Sequence, residues 1–133
     1  MDSASLVFHV HPERLAIARL PSDAPLPDWI GGRFANIART PQELSIVCTQ
    51  ACVPRDVTQE RDKVALCIEG VIPMTTVGLL AGLCTALALA HVPVFVISTY
   101  DTDWLLVSAD KLGEAARALE GAGHRVLGSL PAG

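Results

Sequence analysis

Between Ser98 and Asp103 the chain reads Ser-Thr-Tyr-Asp-Thr-Asp, placing hydroxyls, a phenol and two carboxylates side by side. Such a set can hold an ammonium group: the anion pairs with it, and hydroxyls or carbonyls take the remaining N–H bonds. Two apolar β-type runs flank it, Val92 to Ile97 and Trp104 to Val107. A hairpin that needed only to reverse direction would use one or two Gly, Asn or Asp residues. The functional reading is therefore a small-molecule docking edge. In the structural reading, Asp101 and Asp103 bond backbone N–H groups in a turn, and Ser98 and Thr99 pair across strands. Upstream, Val77-Gly78 opens a helical stretch whose first N–H groups and positive dipole end suit a carboxylate. Gly78 would let a ligand come close to the backbone.

Other reactive side chains are sparser. His9 and His11 alternate and would share one strand face, but Glu13 is the sole further ligand nearby in sequence. Two exposed strand histidines are the expectation, with no metal bound. Cys48 and Cys52 lack a second pair at zinc spacing, and Cys67 and Cys84 sit in apolar surroundings; four free thiols are expected. A catalytic cysteine with His91 or His124 as base would need a spatial pairing that spacing does not reveal. The sequence holds no phosphate-loop motif, no HExxH and no carboxylate pair other than Asp101 and Asp103, so neither catalysis nor a cofactor is expected.

The elements that must position these residues parse best in the carboxyl-terminal half. Lys63 to Gly70 is a β-type run, followed by a loop over Val71 to Thr76 in which Thr75 or Thr76 can cap a helix from Val77 to Ala90. A strand from Pro93 to Ser98, the polar cluster and a strand from Asp103 to Ser108 come next. Asp110 can cap a second helix starting at Leu112, with Leu112, Ala115, Ala116 and Leu119 on one face. Gly121 and Gly123 end it, and His124 to Leu127 is a last strand. The order is βαββαβ, a ferredoxin-like α+β arrangement. The amino-terminal half is a weaker copy: strand-like stretches in Phe8 to Leu20, one helical turn in Pro25 to Gly32, and strands over Arg33 to Thr40 and Glu43 to Thr49 around a Pro41-Gln42 turn. Val53 to Asp62 is polar and reads as a linker or one short helical turn. Two modules are thus expected, 1–62 degenerate and 63–133 complete, with sheets merged edge to edge because an isolated four-stranded sheet leaves unpaired edges.

The gross numbers limit the functions available. Half of the 133 residues are hydrophobic and 5% are aromatic, so the core must be aliphatic. A formal net charge of -4 without a Lys/Arg stripe excludes phosphate neutralisation, hence nucleic acid as a partner. The stretch Val77 to Ile97 is about as long as a bilayer span, but His91 and Pro93 cut it into a Leu/Ala-rich part and a Val/Phe/Ile-rich part. A buried helix leading into a central strand accounts for both compositions, so no membrane partner is expected. The amino terminus has no basic segment followed by a long apolar one and does not read as a signal peptide, which points to the cytoplasm.

Three stretches together carry a family resemblance: RTPQELSIVC, EGVIPMTTVGLLAGL and VFVISTYDTDWLLV. They resemble the strand of the first module, the strand, loop and Gly-started helix of the second, and the distinguishing hairpin of ACT-type amino-acid-binding domains, in the subfamily that includes the CASTOR arginine sensors. The resemblance implies a regulatory, non-catalytic protein that binds a small molecule, an amino acid, at the seam between modules or subunits. It also implies a homodimer and a regulated protein partner. Its site would use Thr75, Thr76, Val77 and Gly78 of the loop and helix start, with Thr99, Tyr100, Asp101 and Asp103 of the hairpin. The alternative is an ACT module that serves structure or protein interaction without a working ligand site. In the arginine-sensing relatives the loop before the helix is acidic; here Pro73 to Val77 holds no carboxylate, and a buried guanidinium without a counter-ion costs several kcal/mol. The Thr-rich loop suits a smaller or neutral amino acid better.

Overall fold

Strand-period and helix-period patterns alternate along the carboxyl-terminal half, and the computed structural model, which describes residues 5–133, turns them into elements in the expected order. The chain divides into two compact units. One holds residues 5–11 together with Val64–Leu130; the other holds Pro12–Lys63 and Pro131–Gly133.

In the first unit, β1 (Val7–Val10) is joined by the Val64–Ile68 part of β5 (Gln59–Ile68), α1 (Leu79–Leu89), β6 (Phe95–Ser98), β7 (Asp103–Ser108), α2 (Leu112–Gly121) and β8 (Arg125–Leu127). From β5 onward the order is βαββαβ, the ferredoxin-like arrangement. The strands lie β6-β7-β5-β1-β8, so β1 stands between β5 and β8, antiparallel to the first and parallel to the second. Period-two alternation turns Leu66 and Ile68 of β5 and Leu105 and Val107 of β7 toward the helices. There they meet Leu83 and Leu87 of α1 and Ala115 and Leu119 of α2 in one aliphatic core with Phe8 of β1.

Two expectations for this unit change. The helix is not buried all round: Leu83 and Leu87 are inside, while Ala81, Gly82 and Ala88 are exposed and Leu89 is 79% exposed. The strand after it is not central, since among the described residues β6 pairs with β7 alone. The membrane-like hydropathy therefore reflects an apolar outer helix face beside an outer strand. Capping also differs. α1 starts after Gly78, a left-handed residue at φ 82° without a side-chain cap, and neither Thr75 nor Thr76 takes that role; α2 follows a 3-10 turn over Ala109–Lys111 that absorbs Asp110.

The end of α1 explains the break at His91. Val92 N–H bonds Leu87 O at 2.9 Å and His91 N–H bonds Ala88 O at 3.0 Å, a Schellman closure with His91 left-handed at φ 59°. Glycine is the usual residue there because a Cβ is disfavoured. His91→Gly should raise stability by up to about 1 kcal/mol and His91→Val should lower it by at least as much. Thermal denaturation checks both; equal melting temperatures would remove the strain argument.

In the second unit, β2 (Leu15–Leu20), β3 (Ala35–Arg39) and β4 (Leu44–Thr49) form antiparallel pairs in the order β3-β4-β2, and β2 also pairs with the Gln59–Lys63 part of β5. Its core is Ala16, Ala18, Leu44, Ile46, Cys48 and Val53, with Trp29 packed against it. Pro25 to Gly32 forms turns rather than a helical element, and the one 3-10 turn described in this unit lies at Gln50–Cys52. The polar stretch read as a linker becomes strand from Gln59 because backbone pairing with β2 satisfies it regardless of side-chain polarity. The register shifts between Leu15 and Ile17, and Asp62, at the bulge, has φ 59°. The buried Gln50 amide clasps it: Oε1 accepts Asp62 N–H at 2.7 Å and Nε2 donates to Asp62 Oδ1 at 3.1 Å. Gln50, and then Arg14, hold the Asp62 carboxyl below its ordinary pKa. That small stabilisation is present above the ordinary carboxylate range and is lost as pH falls through the lowered value.

Candidate functional site

The polar cluster closes the β6–β7 hairpin. Ser98 and Asp103 are the terminal paired residues, and Ser98 Oγ donates to Asp103 Oδ1. Thr99 N–H and Thr99 Oγ1 both donate to Thr102 O, at 2.8 and 3.2 Å, which tightens the reversal. Two further bonds fix this tip within its unit. Thr102 Oγ1 donates to Ile68 O at 3.1 Å, and Ile72 N–H donates to Asp101 O at 2.6 Å. The loop over residues 69–78 is thus tied to the hairpin tip and leads directly into α1.

Between loop, helix start and hairpin lies a cavity of roughly 320 Å³. Of the eight residues expected from the sequence, Thr76, Gly78, Thr99, Tyr100 and Asp103 line it, whereas Thr75, Val77 and Asp101 do not. Asp101 contributes its carbonyl to the loop anchor, and Val77 is 95% exposed. Ser98, Thr102, Ile72, Met74 and the first turn of α1 (Leu79, Leu80, Ala81) also line the cavity. The first-turn residues carry no sequence signal as site members, because what they offer is backbone. Gly82 N–H is bonded to Gly78 O at 3.1 Å, and no side chain caps the helix, so the N–H groups just before Gly82 are the ones an acceptor could use. The cavity therefore combines one carboxylate, several hydroxyls, a helix amino-terminal end and an apolar wall.

The remaining candidates have structural roles. His9 Nε2 lies 2.6 Å from Glu69 Oε1 on the surface, while His11, expected to be exposed, is buried with its ring edge-on to Trp104 at 5.8 Å between centroids. Among the described residues no group of three His, Cys, Asp or Glu is placed to hold a metal ion. All four cysteines are free. Burial pushes the Cys48 and Cys67 thiols up, with the neighbouring Cys52 adding to the effect at Cys48 and a Gly31 backbone bond opposing it, so both stay protonated and weakly nucleophilic. His124 Nδ1 accepts Leu6 N–H at 3.0 Å, and its ring packs edge-on to Phe8. No helix among the described residues is long and apolar enough to cross a membrane.

Comparison with known proteins gives this geometry a context. Residues 59–121 match the family model of the ACT domain, and residues 13–56 match a second model, that of an N-terminal domain. No curated protein sequence matches the chain. Among solved structures, protein Atu0741 from Agobacterium tumefaciens is 32% identical, with 94% of each chain covered and a TM-score of 0.88. A protein of unknown function, VC0802 from Vibrio cholerae, is 20% identical over 88% of this chain and 89% of that one, with a TM-score of 0.69. The regulatory subunit of aspartate kinase from Thermus flavus shares the fold at 15% identity and a TM-score of 0.61, over 85% of this chain and 94% of its own. The hairpin, helix start and connecting loop just described all fall within residues 59–121, and the chain belongs to the family of the Agobacterium protein, with an ACT domain over those residues.

Proposed function

We propose that the chain is a non-catalytic regulatory protein that binds a small amino acid in the cavity between the α1 start and the β6–β7 hairpin. The observation that carries this reading is the pairing, within one cavity, of the Asp103 carboxylate with the uncapped first turn of α1. A free amino acid presents complementary groups: its ammonium can pair with Asp103, and its carboxylate can take N–H bonds at the helix start. Ile72, Met74 and Leu79 supply an apolar wall for the side chain. The lining contains one carboxylate, so an arginine guanidinium would compete with the ligand's own ammonium for Asp103. This favours a neutral amino acid, even within a subfamily resembling the CASTOR sensors.

Regulation would act through association. Leu89 on the outer face of α1 and Phe95 on the outer strand β6 are exposed, an arrangement suited to a homodimer. A ligand that binds one association state better than another shifts that equilibrium by its differential affinity, and a partner protein in the cytoplasm could read the shift. A second reading has its own support: Met74, Val77 and Tyr100 expose apolar surface near the cavity, which suits a protein interface without a small ligand.

A thermal-shift panel of the free amino acids separates the two. The expected result is a selective, saturating rise for one neutral amino acid, as mass action requires. A flat panel on protein freed of co-purified small molecules would leave the interaction module as the reading.

A further inference from the structure

The second unit holds a cavity of its own, roughly 650 Å³, within the size range of small-molecule sites. Three arginines line it: Arg14 at the head of the β2 pairing, Arg55 after Pro54, and Arg61 in the early part of β5. They come from separate parts of the chain and meet only in the folded unit. Arg14 is fixed, its Nε donating to Pro131 O at 3.0 Å and its Nη1 to Asp62 Oδ1 at 3.1 Å. Arg61 donates Nη1 to the neutral Gln59 Oε1 at 2.7 Å. Among the described residues Arg55 is in no ion pair.

Glu13 is the acidic residue in the lining, and its Oε1 already accepts Arg33 N–H and Thr49 Oγ1–H at 2.8 Å each. Asp62, outside the lining, acts on Arg14 and Arg61. Arg55 is thus the guanidinium left without an ion-pair partner among the described residues, whereas Arg14 already has Asp62 and lies beside Gly133, also in the lining. An oxyanion entering the cavity could take paired N–H bonds from the planar guanidinium forks. Val53 and Pro54 add apolar surface for a ligand body.

We infer that this cavity is a second ligand site, for a small organic anion whose carboxylate or phosphate group is gripped by Arg14, Arg55 and Arg61. It does not depend on the amino-acid reading, because its residues all belong to the other compact unit. The test is calorimetric titration of the full chain with succinate and, separately, with inorganic phosphate, at ionic strength matched with chloride. Backbone amide NMR shifts locate any binding. Saturable binding of one probe, with shifts at Arg14, Gln50, Arg55 and Arg61, is expected. The double variant Arg55→Gln with Arg61→Gln should weaken it about tenfold or more, Arg55→Lys should restore part of the loss when introduced beside Arg61, and Asp103→Ala should leave it unchanged. Binding of succinate alone or of phosphate alone names the oxyanion class. No saturable binding of either probe, equal affinity in the double variant, or equal displacement by chloride would overturn the site. If the double variant melts early, Arg55→Gln alone carries the comparison, since Arg55 is exposed.

Discussion

Replacing Asp103 by alanine is expected to weaken amino-acid binding about ten- to hundredfold while leaving the unliganded fold almost unchanged. The two halves of that result have different physical origins. A hydrogen bond to a charged group contributes about 1.5–3 kcal/mol, which corresponds to roughly that range of affinity. Asp103 supplies the one carboxylate of the cavity lining, so nothing else there can replace it for an ammonium. The fold, by contrast, uses Asp103 through its backbone pairing with Ser98 at the end of the hairpin, which alanine keeps. The side-chain bond lost is that from Ser98 Oγ, whose residue is exposed and can turn to water, so the change in stability should stay within about 1 kcal/mol. Asp103→Asn separates charge from hydrogen bonding: the amide oxygen can still accept from Ser98, but the attraction to an ammonium is gone. Calorimetry with the amino acid selected by the panel measures both variants. Wild-type affinity in Asp103→Asn would sink the ion-pair reading, and a large fall in melting temperature for Asp103→Ala would make the residue a structural one.

How much of this was legible in the sequence depends on the range over which each signal acts. The Leu112, Ala115, Leu119 spacing and the alternation through Leu66 and Ile68 are local, and both elements form where they should. The β6–β7 hairpin is local too, which is why the 98–103 cluster could be found before its surroundings were known. Partner choice is a long-range property. Nothing in Val7–Val10 says that it pairs antiparallel with β5 and parallel with β8, and nothing in the polar Gln59–Lys63 says that it is strand rather than linker. Hydropathy misleads at α1 for the complementary reason: an apolar outer face reads as burial even where the chain itself provides no cover, as at Leu89. The site divides in the same way. Asp103 and Thr99 announce themselves by chemistry, while Leu79, Leu80 and Ala81 offer backbone N–H groups that any sequence would carry. Arg14, Arg55 and Arg61 are ordinary surface-type residues until β2, the turn after Pro54 and β5 are folded against one another.

Gly32→Ala is expected to destabilise the protein by about 2–5 kcal/mol, an effect that composition and periodicity give no hint of. Gly32 has φ 95°, where a side chain is strained at a cost of about 1 kcal/mol. Steric overlap costs more: a Cβ there would stand 1.7 Å from Thr49 Oγ1 and 2.4 Å from Thr49 Cβ. Thr49 cannot simply swing aside. It is buried at the end of β4, its N–H bonds Gly31 O at 3.3 Å, and its hydroxyl donates to Glu13 Oε1 at 2.8 Å. Turning the side chain would break the bond to Glu13, the same carboxylate oxygen that accepts Arg33 N–H and so holds the loop entering β3. Overpacking of this kind costs about 1–3 kcal/mol, and a lost hydrogen bond adds about 1 kcal/mol. Because one clash drives most of the loss, the pair should be strongly non-additive. Thr49→Ala in the Gly32→Ala background removes the obstructing Oγ1 but keeps the Cβ at 2.4 Å, so it should recover only part of the stability, although Thr49→Ala alone should destabilise. Chemical denaturation of the two single variants and the double variant measures this coupling, and simple additivity would show that the strained backbone at Gly32, rather than the contact with Thr49, dominates.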